Sequence, residues 1–158
     1  MNKPLFRLCA GIAVLAAGSV LPAFATSFHV NLLRGGSPTP WLGTLQLAPD
    51  GHGRLAVHAP EEYTGQCNAA GTPIRQIVDR GLLVVALPSG PGGMEALRVR
   101  ITEVASMRVL TVRHPYCLLQ RPRVHETVAT VSFNADSRST QSIPLPGTPF
   151  VVNLTPAG

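Results

Sequence analysis

The stretch RHPYCLLQRPR, residues 113–123, sets His114 three residues before Cys117 in a cluster of arginines. A cysteine thiolate is both nucleophile and metal ligand, and an imidazole at short range can take its proton or share its metal. With Met107 and His125 close in sequence, the atoms of a blue-copper centre are also at hand. Each of these chemistries needs a free thiolate. Of three cysteines, Cys9 lies in an apolar leader, which leaves Cys67 and Cys117 as the two of the exported chain, and they are expected to form a disulfide. Loop-closure entropy alone would make that bond worth about 4 kcal/mol at most. Oxidised Cys117 is neither nucleophile nor ligand, and HPYC then reads as a turn: Pro115 fixes φ and holds His114 extended.

A second group of chemically capable residues is Asp50, His52 and His58, followed by Glu61 and Glu62. Carboxylate and imidazole are ordinary metal ligands. The spacing argues against a shared ion. With His52 in a turn and His58 ending the returning strand, six residues at about 3.3 Å each put the rings about 20 Å apart, whereas a metal holds its ligands within about 2.2 Å. His52, His58 and His114 stand as weak metal candidates, with His29 and His125 as residues the fold could bring near; no metal and no cofactor is expected. Nucleophilic catalysis has no frame either. No Gly-x-Ser-x-Gly elbow occurs, Ser89 in LPSGPGG has no base assigned to it, and the glycines of DGHG fit neither phosphate-binding spacing. No catalytic residue is assigned and the chain reads as a non-enzyme. Asn153-Leu154-Thr155 is a glycosylation sequon, meaningful only in a eukaryotic source.

Arginine is the distributed feature that remains. If EALRVRITEVASMRVLTVR is a hairpin turning near residues 104–106, Arg98 and Arg100 share a solvent face, Arg113 joins from the neighbouring strand, and Arg121 and Arg123 stand at the end of the disulfide turn. Guanidinium forks suit carboxylate, phosphate and sulfate, so these five make a candidate anion-binding face. The plainer reading, preferred on sequence alone, is the solvated outside of a one-sided sheet.

The elements that must position these residues begin after residue 25. MNKPLFR carries Lys3 and Arg7, residues 8–21 are almost continuously apolar, and Ala23-Phe24-Ala25 has the small-x-small cleavage pattern, so residues 1–25 are predicted to be a secretory signal peptide. The apolar run, about 14 residues, falls short of the roughly 20 that a spanning helix needs. No later run approaches that length, and no integral membrane segment is expected after cleavage. Residues 26–158 then form one domain, whose 11 basic residues, all arginine, face 8 acidic ones. That small surplus does not call for a nucleic-acid partner.

Periodicity within the domain is that of strands. Phe28, Val30 and Leu32 alternate; Trp41, Leu45 and Leu47 alternate, then PDGHG supplies a turn and Leu55 and Val57 return as a hairpin. TPIRQIVDRG predicts one short helix near residues 73–80, with Thr72 as N-cap and Gly81 as terminator, a strand being the alternative. LLVVALP reads as a central strand buried on both faces. Leu97, Val99 and Ile101 alternate with arginines; residues 124–135 form a strand with Ala129, Val131 and Phe133 inward; IPLPGTP connects to a last strand, FVVNL. Eight or nine short strands, one disulfide and this length indicate an all-β antiparallel sandwich or distorted barrel.

The functional expectation is an exported, periplasmic or secreted, non-enzymatic β-sandwich that binds another envelope or extracellular component, a protein or a glycan. Two alternatives stand beside it: a histidine-based metal-binding protein or small enzyme, and an inhibitor, immunity-type or polyanion-binding protein using the arginine face.

Overall fold

Apolar alternation becomes burial, strand by strand, in the computed structural model, which describes residues 26–88, 94–112 and 117–158. The strands are β1 (Ser27–Arg34), β2 (Ser37–Gln46), β3 (Gly53–His58), β4 (Glu61–Cys67), β5 (Pro73–Val78), β6 (Gly81–Pro88), β7 (Met94–Val112), β8 (Cys117–Asn134), β9 (Gln141–Pro144) and β10 (Phe150–Pro156). Sheet A has the order β2-β1-β10-β9 and sheet B the order β3-β6-β7-β8, while β4 and β5 form a separate two-stranded ribbon. All pairings are antiparallel, and the described residues contain no helix.

The two four-stranded sheets close on one apolar core. Phe28, Val30 and Leu32 of β1 point inward, in register with Leu45 of β2 and with Leu154 and Val152 of β10. Sheet B answers with Leu82, Val84 and Ala86 of β6, Leu97, Val99 and Ile101 of β7, and Ala129 and Phe133 of β8. Phe28 and Phe133 meet edge to face across the sheets at 5.7 Å between centroids, the approach that aromatic quadrupoles favour. Pro38 and Pro40 lie in β2 and Pro144 in β9. Both are edge strands, where a missing N–H costs no ladder bond. In β2 the register slips opposite Asn31 and Leu33; there the Thr39 hydroxyl donates to the Leu32 carbonyl at 2.8 Å and accepts from the Trp41 N–H at 3.3 Å, replacing ladder bonds lost to the bulge.

Several expected boundaries are corrected. The strands around PDGHG do not pair as a hairpin: β2 pairs with β1 and β3 with β6, and a lone Leu47–Gly53 bridge joins them. The turn is the corner at which the chain changes sheets. Gly43 permits the close passage, since a Cβ there would lie 2.7 Å from Leu55 Cδ1 of β3. Residues 73–80 are not helical, because Pro73–Val78 forms β5 on β4 with Cys67 opposite Pro73. Pro73 takes the first strand position, which proline tolerates; a helix this short is not self-sustaining, and β-branched isoleucine and valine suit a strand. β6 is central, yet only one of its faces is buried, leaving Leu83 and Val85 half-buried and Leu87 exposed.

The long ribbon departs most from the sequence reading. β7 does not turn near residues 104–106. It continues to Val112, and β8 starts at Cys117 rather than at residue 124, so the two pair from Met94–Asn134 to Val112–Cys117. Ala105 is an extra residue between the Val104–Val124 and Ser106–Arg123 rungs, a β-bulge of the kind that re-aims side chains. Rungs up to about Glu103–His125 belong to the sandwich. Beyond them the ribbon runs on as an arm, against which β4 is held by the Cys67–Cys117 disulfide, Cα to Cα 6.4 Å, and by the Thr64 N–H donating to Gln120 Oε1 at 2.8 Å. Of HPYC only Cys117 is among the described residues; the expected turn at His114 and Pro115 lies outside them.

Candidate functional site

Sheet B carries its chemistry on the face turned away from the core. Register places Arg54, Val85, Arg98 and Thr130 in one row across β3, β6, β7 and β8, and Ala56, Leu83, Arg100 and Val128 in the next. A third row holds His58, Gly81, Thr102 and Glu126. The arginines thus rise from an aliphatic floor. Arg98 and Arg100, two residues apart on one strand, are separated by about 6.6–7 Å; Arg54 and Arg98 stand two strands apart, about 10 Å. None of the three has an ion-pair partner among the described residues. By contrast Arg34 pairs with Glu103 at 3.0 Å, Arg75 with Glu62 at 2.6 Å and Arg80 with Glu61 at 3.2 Å.

A groove of about 230 Å³ opens on this face, lined in part by Arg54, Ala56, His58, Leu83, Arg100 and Glu126. Asp79 and Arg80, from the turn between β5 and β6, complete its rim. Its size suits a side chain or a short extended segment rather than a folded body. The outer face of sheet A is different in kind. There Ser142 donates to Asn153 Oδ1 at 2.7 Å, Thr44 meets His29 Nδ1 at 3.3 Å and Thr140 meets Thr155 at 3.0 Å, while Asn31 Oδ1 on the same face is buried without a hydrogen-bond partner. Asn153 of the sequon lies on this face, in register with Asn31.

The five arginines read from the sequence do not share one surface. Arg98 and Arg100 stand together as expected, whereas Arg121 and Arg123 belong to the arm. They alternate in phase with Ala129 and Phe133, and therefore occupy the opposite side of the ribbon from Val128 and Thr130, the rung partners of Arg100 and Arg98. Arg113 lies outside the described residues. Sequence reasoning passed over Arg54 and Arg108. Arg54 carried a signal, since it alternates with the apolar Leu55 and Val57. Arg108 carried none, because the Ala105 bulge reverses the alternation that would have placed it.

The histidines remain apart. His52 sits in the corner turn, where its N–H donates to Asp50 Oδ1 at 3.1 Å and its Nδ1 lies 3.4 Å from Oδ2. That backbone hydrogen bond holds the Asp50 carboxyl below its ordinary value; desolvation opposes it, and the charge and hydrogen bonding of the His52 ring add to the lowering. His58 ends β3 at the groove, His29 is on sheet A, His125 pairs with Glu103 at the base of the arm, and His114 lies outside the described residues. No group of three histidine, cysteine or acidic residues that could hold a metal occurs among the described residues.

The disulfide fits an extracellular or periplasmic protein, and no helix among the described residues is long and apolar enough to cross a membrane. Compared with family models, characterised proteins and solved structures, the chain matches none.

Proposed function

We propose that the protein is an exported, non-enzymatic binding module that holds an acidic extended segment of another envelope or extracellular component on the outer face of sheet B. One observation carries the reading: Arg54, Arg98 and Arg100 stand without an ion-pair partner among the described residues over Ala56, Leu83, Val85 and Val128, beside a groove of about 230 Å³. Their spacing suits such a segment, because the 6.6–7 Å repeat of Arg98 and Arg100 is also the repeat of side chains on one face of an extended chain. Guanidinium groups bind carboxylates through paired hydrogen bonds, and the aliphatic floor accepts the intervening apolar side chains. The reading also rests on the leader predicted from the sequence over residues 1–25 and on the disulfide, both of which fit an oxidising compartment.

The experiment is retention of the disulfide-intact protein on an immobilised acidic polypeptide across a salt gradient. The expected result is retention that falls steeply with salt and is lost in the Arg54→Gln, Arg98→Gln, Arg100→Gln triple variant at unchanged melting temperature. Retention of that variant equal to the original would overturn the proposal, and retention on a sulfated glycan alone would replace the acidic segment by a glycan.

A further inference from the structure

Beyond the sandwich the ribbon carries a second cationic group, on a different face from the one just described. Arg108 of β7 and Arg121 of β8 are direct rung partners, and Arg123 lies two rungs further toward the sandwich, opposite Ser106. Directly opposed residues in an antiparallel pair have Cβ atoms about 4.5–5.5 Å apart, and like charges there oppose pairing. Arg121 and Arg123 are separated by about 6.6–7 Å along the strand. All three side chains are exposed. No acidic residue occurs anywhere from residue 104 to residue 125. Glu103, opposite His125 and therefore diagonal to Arg123, is occupied by Arg34, and Glu61 and Glu62 of the disulfide-held ribbon are occupied by Arg80 and Arg75. Among the described residues the fold therefore maintains three adjacent guanidinium groups without an ion-pair partner, in an arrangement that works against its own strand pairing.

We propose that Arg108, Arg121 and Arg123 form a binding site for a phosphoryl group. A carboxylate carries one charge and two oxygens, enough for a single guanidinium fork. A phosphate monoester carries up to two charges and three free oxygens, one for each arginine, and arginine matches phosphate geometry with directed N–H donors. The binding anion supplies the charge that the rung lacks, so ligand and fold stabilise each other. This site does not depend on the acidic-segment reading, since it uses none of the same residues.

The test uses the full, disulfide-intact protein titrated calorimetrically with inorganic phosphate, and sedimentation with phosphatidylcholine vesicles with and without phosphatidic acid. The original protein is expected to bind phosphate saturably and to melt at a higher temperature in its presence. Arg108→Glu replaces the repulsive rung by a cross-strand ion pair; it is expected to weaken phosphate binding at least tenfold while melting no lower than the original without ligand. Arg121→Gln provides the same loss of binding should the charge reversal fail to fold. Vesicle binding that requires phosphatidic acid and is displaced by phosphate would assign the group to a lipid headgroup; phosphate binding without vesicle binding would assign it to a soluble ester, and either result supports the site. Absence of phosphate binding by the original protein would overturn the proposal. So would full binding by Arg108→Glu or Arg121→Gln, or a loss produced instead by Arg98→Gln with Arg100→Gln.

Discussion

The two halves of the β7–β8 ribbon use the same two strands and the same antiparallel pairing for opposite ends. From residue 94 to residue 104 the side of β7 that meets sheet A carries Leu97, Val99 and Ile101, with Ala129 and Phe133 opposite on β8, all of them buried. Past the bulge at Ala105 the corresponding side carries Arg108, Arg121 and Arg123, exposed, and the other side presents Val109 and Leu118, which are 55% and 59% exposed. In the sandwich, burial of one face fixes register, because a slip of one residue would turn every apolar side chain outward. In the arm the side chains other than Cys117 are exposed or half-buried on both faces, and apolar alternation no longer distinguishes one register from the next. The disulfide at Cys117 and the Thr64–Gln120 hydrogen bond take over that task. Strand pairing is thus specified by packing in one half and by a covalent anchor in the other.

The largest effect that would break this comparison is a cavity in the body. Phe133→Ala removes the ring that meets Phe28 and should cost about 3–5 kcal/mol, measured by denaturant unfolding; Val109→Ser and Leu118→Ser in the arm should each change stability by about 0.5 kcal/mol or less. A comparable loss in the arm variants would mean that the arm has an apolar partner. Next in size is the anchor. Cys67→Ser with Cys117→Ser should cost about 2–4 kcal/mol, and hydrogen exchange should show β4 and β5 losing protection while β1, β6 and β10 keep theirs. Uniform loss would show that the ribbon and the sandwich unfold as one unit.

Glycines sharpen the contrast on a smaller scale. A Cβ at Gly81 would collide with the Val57 carbonyl of the paired strand, a backbone atom that cannot step aside. At Gly65 in β4, the strand held against the arm, the obstacle is the Gln76 side chain, which is free to rotate once it releases the Tyr63 hydroxyl. Gly81→Ala should therefore cost about 1–3 kcal/mol and Gly65→Ala about 1 kcal/mol or less, read from melting curves. The smallest effect concerns Asp50 at the corner turn. Its folded-state pKa is lowered from 3.8, so its contribution is present above that value and is lost as pH falls through the lowered one. Asp50→Asn should lack this component, being slightly less stable than the original at neutral pH and converging with it as acid titration below pH 3.8 removes the original's contribution. A difference that persists in acid, once the carboxylate is protonated, would place the role of Asp50 in the turn geometry rather than in its charge.

Alternation made most of the body legible. Phe28, Val30, Leu32, Leu45, Leu97, Val99, Ile101 and Phe133 are inward both by period and by burial, and cysteine counting identifies the Cys67–Cys117 bond. What stayed hidden is non-local. Nothing in LLVVALP tells a strand covered on both sides from one whose outer face merely lacks charge. Nothing in TPIRQIVDRG announces that β4 is waiting to pair with it. The bulge was the costliest omission: EVASMR contains no glycine or proline to mark a change of phase, so the arginines could not be sorted into two faces before the rungs were seen. Arg98 and Arg100 needed no such knowledge, because they precede it.

The central pairing of sheet A joins β1 to β10, with Phe28 opposite Pro156 and Arg34 opposite Phe150. The first and last strands of the domain are thus neighbours in the middle of one sheet, and almost the whole sequence separates the residues of that contact. Closing so long a loop precedes any gain from the pairing, which makes contacts of this kind slow to form. Sheet A cannot complete itself until β10 has been synthesised. Until then β1 has only β2 beside it in the sheet. Once β10 arrives, its insertion between β1 and β9 commits both ends of the domain in a single step.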